Sequence, residues 1–222
     1  MVDAVLFDLD GVIVDSEPVW EEVRRAYVAA HGGTWQPDSQ RRLMGMSTGE
    51  WATYLSGELG VDRSAEQVAI EVVAEMTRRY AQRVPLIDDA DAVVRRMAAR
   101  WPLGLASSSP TRLIAAALDA TGLADCFGAT LSTEETARGK PAPDVWLAVA
   151  ARLGVDPARC VAIEDSSNGV RSAAAAGMRV VAVPHGSYPL DPDAEALAAA
   201  LLPAIDALTL ELVAQLDRTI CS

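Results

Sequence analysis

The order of apolar and amphipathic segments is the feature that most constrains the fold of this chain. Short apolar runs occupy residues 4–7, 103–106, 129–131, 160–163 and 179–183, and segments with helical periodicity lie between them. Each run has the length of a buried strand rather than of a helix. Strands that alternate with helices form parallel βαβ units, so the pattern predicts an α/β fold whose core is a Rossmann-like, doubly wound parallel sheet.

One long segment interrupts the alternation after the first strand. Residues 17–83 show helical periodicity, which is clearest at 17–30 and 64–83, and they contain no strand-like run. We therefore expect two domains. Residues 1–16 and 84–222 would form the α/β core, and residues 17–83 would form an all-helical domain inserted between the two core segments.

The same periodicity predicts the helices of the core. They cover residues 88–100, 111–121, 143–153, 168–176 and 195–216, the last of them broken near Pro203. Residues 41–48, in the inserted segment, indicate a helix end and a turn. The run at 179–183 is the last clear strand, and the residues after 216 give no prediction.

Polar residues that end the predicted strands are candidates for a functional site. Ligands of an open parallel sheet bind outside the carboxyl ends of its strands, where the residues that follow each strand converge. The residues in such positions are Asp8, Asp10, Ser107, Ser108, Glu164 and Asp165, together with Lys140 in the loop after the third strand. Carboxylates, hydroxyls and one cation are thus expected at one edge of the sheet.

Asp8 and Asp10 are separated by one residue, and Gly11 follows at once. Gly11 permits a turn that most residues would resist, so both carboxylates can face one site. Two adjacent anions repel each other, and a divalent cation such as Mg²⁺ compensates because it prefers carboxylate and carbonyl oxygens. The alternative is a pair of solvated turn aspartates, which are common beside glycine.

The other candidates also have purely structural alternatives. The serines at 107–109 could merely cap the helix that follows them, and residues 164–168 could do the same for theirs. Lys140 is the only lysine among 19 basic residues, which favours a site where a compact point charge matters. The alternative for Lys140 is chance survival of one lysine in an arginine-rich composition.

Composition limits the partners that the chain can have. Its 222 residues carry a formal net charge of −12, and an acidic surface argues against nucleic acid or an anionic membrane as a partner. Cys126, Cys160 and Cys221 lie far apart, so they indicate neither a zinc site nor a disulfide framework, and Cys160 is expected in the core. The first apolar run is too short for a signal peptide or a membrane span. We expect a cytoplasmic, monomeric protein.

Four motifs together resemble those of the haloacid dehalogenase superfamily of phosphotransferases. The motifs are DLDGVIVDSE at 8–17, LASSSP at 105–110, GKPAPD at 139–144 and IEDSSNG at 163–169, and they match in order and in spacing. The resemblance covers the whole chain, and residues 17–83 correspond to the helical cap domain of that superfamily. The chain is most similar to the subgroup of β-phosphoglucomutases and small sugar-phosphate phosphatases.

The resemblance implies catalytic and metal-binding roles for the carboxylates. Asp8 would attack phosphorus and form an aspartyl phosphate. Asp10 would protonate the leaving oxygen and then deprotonate the incoming water. The Asp8 carboxylate, the Asp10 backbone carbonyl and Asp165 would hold Mg²⁺, with Glu164 beside it as a ligand or as a support for the ligands.

The resemblance also implies residues that bind the substrate, a small phosphorylated metabolite. Ser107 and Ser108, with backbone N–H groups at the start of the following helix, would hold the phosphoryl oxygens. Lys140 would place its ammonium group against the same oxygens and against Asp8. Glu17, at the end of the first motif, would contact the substrate.

Three functions are compatible with this resemblance, and the sequence favours a phosphatase. Where the mutases carry a histidine and an arginine that grips a second phosphate, this chain has Trp20 and Thr48. Trp20 could equally be a core-facing residue of its helix. A mutase is therefore the alternative, and a non-catalytic binding protein on the same fold is a distant one. Asp10 and the pair of Glu164 and Asp165 argue against a dehalogenase, which needs no second aspartate.

Overall fold

Six parallel strands form one sheet in the computed structural model, which describes residues 1–43, 46–184 and 189–216. The strands are β1 (Ala4–Phe7), β2 (Leu103–Ser107), β3 (Phe127–Ser132), β4 (Cys160–Glu164), β5 (Arg179–Ala182) and β6 (Ala200–Leu201). Their order across the sheet is β3-β2-β1-β4-β5-β6. The predicted α/β fold with a doubly wound parallel sheet is confirmed.

Ten α-helices connect and cover the strands within the described residues. They are α1 (Glu17–Ala30), α2 (Ser39–Leu43), α3 (Thr48–Gly57), α4 (Ala65–Gln82), α5 (Ala90–Ala98), α6 (Thr111–Thr121), α7 (Asp144–Leu153), α8 (Ser167–Ala175), α9 (Pro192–Glu195) and α10 (Leu210–Gln215). Single turns of 3₁₀ helix occur at Ala124–Cys126, Thr133–Glu135, Pro157–Arg159 and Ile205–Ala207.

Hydrophobic cores cover both faces of the sheet, as a parallel sheet requires. Along β1 the side chains alternate: Val5 and Phe7 join one core, and Ala4 and Leu6 join the other. The first core includes residues of α5, α6 and α10, and the second includes residues of α7, α8 and α9. Gly104 in β2 lets α7 approach the sheet, because a Cβ there would overlap a methyl group of Val149.

Within residues 17–83, the described part of the chain forms the four helices α1 to α4 joined by turns and loops, and no strand, as predicted. α4 begins at a capping box, in which the Ser64 side chain accepts from the backbone of Gln67 and the Gln67 side chain accepts from that of Ser64. The predicted apolar stripe of α4 is buried at Val68, Val72, Met76 and Tyr80. α4 packs against α1 and α3 and also against α6 of the sheet domain.

Two connections join this helical segment to the sheet, and they pair with each other. The backbone N–H of Asp15 donates to the carbonyl of Pro85 at 2.8 Å, and that of Ile87 donates to Ile13 at 3.0 Å. Val14 and Leu86 form an antiparallel bridge between the same two connections. The chain therefore leaves the sheet and returns to it along two neighbouring segments that are hydrogen-bonded to each other.

The prediction that 179–183 is the last strand is wrong, and the helix predicted at 195–216 is confirmed only in its final part, where α10 forms. α9 ends at Glu195, and the chain then forms β6 against β5, with Ala199 N–H donating to the Val180 carbonyl at 2.8 Å. The alanine-rich sequence favours a helix locally, but pairing with the sheet edge outweighs that preference.

Some predictions fall partly outside the described residues. The turn predicted within 41–48 includes residues 44 and 45, and Cys221 belongs to the segment 217–222, none of which the structure describes. Cys160 is fully buried in a core, as predicted. Among the described helices, none is long and apolar enough to cross a membrane.

Leu6→Ala should lower the free energy of unfolding by about 3 kcal/mol, because Leu6 is fully buried in the central strand and truncation leaves a cavity. The same substitution at Leu147, which is 40% exposed on α7, should change it by less than about 1 kcal/mol. Urea denaturation followed by circular dichroism measures both. Equal losses in the two variants would contradict the assigned core.

Candidate active site

The strand order brings the ends of three strands together. β1 lies between β2 and β4, so the residues that follow these strands meet where the connections diverge in opposite directions. A cavity of about 670 Å³ opens at this edge, and its size suits a small-molecule ligand. Among the predicted site residues, those that line it are Asp8, Asp10, Glu17, Ser108, Lys140, Glu164 and Asp165.

Lys140 is the centre of the hydrogen bonds in this site. Its Nζ donates to Asp8 Oδ1 and to Glu164 Oε1, each at 2.6 Å, and to the Ala106 carbonyl at 3.1 Å. These three bonds use all three protons of the ammonium group. The group also lies 4.8 Å from the ring centroid of Trp146, which is fully buried in α7.

The charge of Lys140 is stabilised by its neighbours. Burial alone would lower its pKa, but the carboxylates of Asp8 and Glu164 outweigh burial and raise it. The side chain is only 7% exposed, so water screens these interactions little. Beside it, Arg138 donates two hydrogen bonds to Asp144 at 3.2 and 2.8 Å and braces the loop that carries Lys140.

Glu164 is fully buried, and both of its carboxylate oxygens are occupied. Oε1 accepts from Lys140, and Oε2 accepts from the backbone N–H groups of Asp165 and Ser166 and from the Ser166 hydroxyl, at 2.9 to 3.1 Å. Gly169, in the first turn of α8, leaves room for it, because a Cβ there would overlap the Glu164 carboxylate. Glu164 thus ties Lys140 to the start of α8.

Asp10 is oriented by two hydroxyl groups. Its Oδ2 accepts from Ser107 Oγ at 3.1 Å and from Ser109 Oγ at 2.8 Å. Its Oδ1 is buried and has no hydrogen-bond partner among the described residues. The two hydroxyls therefore fix one oxygen of Asp10 and leave the other for a further partner.

Ser107 and Ser109 lie differently from the prediction, whereas Ser108 lines the cavity as predicted. Ser107 is fully buried and does not line the cavity, because its hydroxyl is turned to Asp10 and accepts from the Ser109 N–H at 2.9 Å. Ser108 and Ser109 line the cavity instead. Sequence reasoning did not select Ser109, although its place two residues beyond Ser107 in the same polar run was available as a signal.

The donor set at this edge fits a hard divalent cation. Asp8, Glu164 and Asp165 offer carboxylate oxygens within 4.8 Å of one another, and oxygen ligands of this type suit Mg²⁺ or Ca²⁺. Gly11 makes space beside them, since its φ is +77° and a Cβ there would overlap the Asp165 carboxylate.

The raised pKa values of Asp8 and Asp165 also favour a bound cation at this edge. Burial raises the pKa of Asp8 to about 8; Lys140 opposes the rise, and Glu164 and Asp10 add to it. Burial, followed by the charges of Glu164 and Asp8, also raises the pKa of Asp165 well above its usual range. One ammonium group is therefore insufficient to hold both Asp8 and Asp165 ionised, and a bound cation would favour their charged forms.

The helical segment supplies the opposite wall of the cavity. Glu17, Trp20 and Arg24 of α1 line it, together with Gln40 of α2 and Trp51 of α3. Gln40 Nε2 donates to Glu17 Oε2 at 2.7 Å, and burial raises the pKa of Glu17 while Arg24 opposes the rise. Trp20 lines the cavity, but it is only 5% exposed and its ring contacts that of Trp51. It therefore belongs both to the packed interior and to the wall of the cavity.

Arg24 and Thr48 complete this wall. Thr48 lines the cavity, whereas sequence reasoning did not select Arg24. The signal was available, because Glu17, Trp20 and Arg24 are spaced three and four residues apart and so share one face of α1.

Comparison with known proteins gives matches along most of the chain. Residues 2–177 match the family described as haloacid dehalogenase-like hydrolase. The chain is 33% identical over 195 residues to hexitol phosphatase B of Escherichia coli K12, and this alignment covers 85% of this chain and 86% of the relative. It is 32% identical over 188 residues to phosphorylated carbohydrates phosphatase of Thermotoga maritima, and this alignment covers 83% of this chain and 86% of the relative.

A solved structure gives a similar match in three dimensions. The crystal structure of a candidate β-phosphoglucomutase from Thermotoga maritima superposes with a TM-score of 0.74 at 30% identity. The superposition covers 98% of this chain and 100% of that protein. The likeness therefore includes the helical segment as well as the sheet.

Gly169→Ala should lower the free energy of unfolding by about 1 to 3 kcal/mol, because the added methyl group would displace the Glu164 carboxylate from Lys140. Gly57→Ala is the matched control, since a Cβ at that helical glycine meets no atom within 4 Å. That control should stabilise the protein by up to about 1 kcal/mol through helix propensity. Stabilisation in both variants, measured by urea denaturation, would contradict the tight packing assigned to Gly169.

Proposed function

The chain belongs to the haloacid dehalogenase-like hydrolases, and we propose that it is a Mg²⁺-dependent phosphatase that hydrolyses a sugar or polyol monophosphate. The observation that carries this proposal is the buried cluster in which Lys140 contacts Asp8 and Glu164 at the base of a cavity. The names of the relatives support a phosphorylated carbohydrate as the substrate class.

In the first step Asp8 attacks phosphorus. A bond forms between a carboxylate oxygen of Asp8 and the phosphorus atom, and the ester bond to the leaving oxygen breaks. Asp10 is neutral at this point and gives its proton to the leaving oxygen, so the sugar or polyol departs as an alcohol. The unpartnered Oδ1 of Asp10 is the oxygen suited to carry that proton, because Oδ2 already accepts two hydroxyl hydrogen bonds.

In the second step water replaces the aspartyl group. Asp10, now ionised, removes a proton from a water molecule as its oxygen bonds to phosphorus, and the bond between phosphorus and Asp8 breaks. Inorganic phosphate leaves, Asp8 is again a carboxylate, and Asp10 is again neutral. Each residue returns to its starting state, so the cycle balances in protons and electron pairs.

Two parts of the chain would stabilise the negative charge of the phosphoryl group. Lys140, held by Asp8 and Glu164, places its ammonium group beside the attacking carboxylate. Ser108 and the start of α6 contribute polar groups from the second strand end, and Ser107 acts through Asp10. When bound, Mg²⁺ would neutralise phosphoryl charge and align the group for in-line attack.

The residues that would hold Mg²⁺ are Asp8, Asp165 and the backbone carbonyl of Asp10. Glu164 lies beside them, but its four hydrogen bonds engage both of its oxygens. We therefore assign Glu164 to holding Lys140 and the start of α8 rather than to direct coordination.

We also propose that residues 17–83 act as a cap domain over a core formed by 1–16 and 84–222. The wall formed by α1, α2 and α3 faces the strand ends across the cavity, so the helical segment can exclude water and select the leaving group. The paired backbone at Asp15 and Pro85 marks the point where the two domains would move relative to each other.

A phosphosugar mutase is the second candidate, because one of the similar solved structures is that of a candidate β-phosphoglucomutase. A mutase must hold a second phosphate at the far wall of the cavity. There Thr48 and Trp20 provide no cation, and Arg24, the cation that the described residues of α1 to α3 place on that wall, is accompanied by Glu17. Isomerisation of β-glucose 1-phosphate faster than phosphate release from any ester would favour the mutase.

Asp8→Asn should reduce phosphate release from a hexitol or sugar monophosphate by at least about 10⁴-fold, because the amide is a poor nucleophile. The amide oxygen can still accept from Lys140, so the circular dichroism spectrum should not change. Asp62→Asn, at an exposed position in the helical segment, is the control and should retain wild-type turnover. Phosphate release is measured with Mg²⁺ and again after chelation, which should abolish it reversibly. Near-wild-type turnover by Asp8→Asn would rule out the covalent route.

A further inference from the structure

Arg24 is a buried cation whose hydrogen-bond donors are not all used. The residue is 5% exposed and lines the cavity, yet its Nε and Nη1 have no hydrogen-bond partner among the described residues. Unpaired donors on a buried charged group are costly, because the group has lost its water without gaining a replacement. A ligand in the cavity would supply the missing acceptors.

The guanidinium group is held in place by two aromatic rings. Its Cζ lies 4.4 Å from the ring centroid of Trp20 and 5.1 Å from that of Trp51. The two rings contact each other with centroids 5.8 Å apart. These contacts orient the donors before any ligand arrives, so less rotational entropy is lost on binding.

An unused acceptor lies on the same wall. Gln40 gives its Nε2 proton to Glu17, but its Oε1 is buried and has no partner among the described residues. The wall therefore offers both donors and an acceptor. A hydroxyl group can donate and accept, whereas an ionised phosphate or carboxylate oxygen can only accept.

The charges near Arg24 argue against a second anionic group at this wall. Burial lowers the pKa of Arg24 to about 10, and the negative charges of Glu17 and then Asp10 oppose that shift. Arg24 thus remains charged at neutral pH, but its charge is already accompanied by acids. An incoming phosphate would meet repulsion from Glu17, whereas neutral hydroxyls would not.

We propose that Arg24 and Gln40 are specificity-determining residues that hydrogen-bond hydroxyl groups of the leaving group, so that the protein selects monophosphates of neutral polyhydroxy compounds. The inference rests on the proposed function, since it takes the phosphate to lie at Lys140 and Asp8. It adds the recognition of the other end of the substrate. Esters without hydroxyls are disfavoured because they would leave the buried donors and acceptor unpaired.

Calorimetric binding to the inert Asp8→Asn protein tests this inference. The probes are sorbitol 6-phosphate, hexyl phosphate of the same chain length, fructose 1,6-bisphosphate and inorganic phosphate. Sorbitol 6-phosphate should bind at least about tenfold more tightly than hexyl phosphate. Adding Arg24→Gln should weaken sorbitol 6-phosphate by at least about tenfold and affect inorganic phosphate much less.

Arg25→Gln is the matched control, because Arg25 is the next residue of α1 and its side chain is 66% exposed. It should leave all four affinities unchanged. Arg24→Met provides a second variant, since it keeps an unbranched side chain against the two rings and removes every donor. If both Arg24 variants unfold, equal affinity of the Asp8→Asn protein for sorbitol 6-phosphate and hexyl phosphate would still overturn the inference.

Three results would overturn the inference. They are equal affinity for sorbitol 6-phosphate and hexyl phosphate, an equal loss for every probe in Arg24→Gln, and a loss confined to fructose 1,6-bisphosphate, which would indicate a second phosphate site. None of these measurements needs turnover. Failure of wild-type protein to release phosphate from any ester would therefore refute the proposed function, while the affinities would still decide the role of Arg24.

Discussion

The contact of the Lys140 ammonium group with Asp8 and Glu164 is the interaction on which the site depends. The parallel sheet forces acidic residues from two neighbouring strands to the same edge, and burial there makes their mutual repulsion strong. A single buried cation, with all three protons engaged, offsets part of that repulsion and fixes the direction of Asp8. The remaining negative charge is what makes the edge suited to a divalent cation.

The cavity divides recognition between two parts of the chain. In the proposed function the strand ends would supply the groups for phosphoryl chemistry, and β1 and β4 that carry them are buried on both faces. The helices inserted after β1 supply the wall that would contact the leaving group, with Arg24 between two tryptophan rings. This arrangement lets the chemistry stay fixed while residues on α1, α2 and α3 determine which ester fits.

Much of the fold and the position of the site follow from local patterns in the sequence. Asp8, Glu164 and Lys140 could be placed together because topology alone brings strand ends to one edge. The stripe of α4 was equally predictable from its periodicity. The C-terminal region was not, because β6 depends on pairing between Ala199 and Val180, which the alanine-rich sequence does not reveal.

The direction of individual side chains was also beyond the sequence. Ser107 turns to Asp10 instead of the cavity, and the unpaired donors of Arg24 become visible only when its neighbours are known.

The stability of Lys140→Met as a function of pH measures the central charge balance most directly. The raised pKa of Lys140 means that its stabilising charge is present throughout the range below its usual pKa of 10.5. The variant should therefore be less stable by about 3 kcal/mol near pH 9, above the raised pKa of Asp8, where its unpaired carboxylate is costly. The difference should shrink as the pH falls through about 8, because the raised pKa of Asp8 means that this carboxyl group is then protonated. A variant as stable as the wild type at every pH would contradict the role given to Lys140.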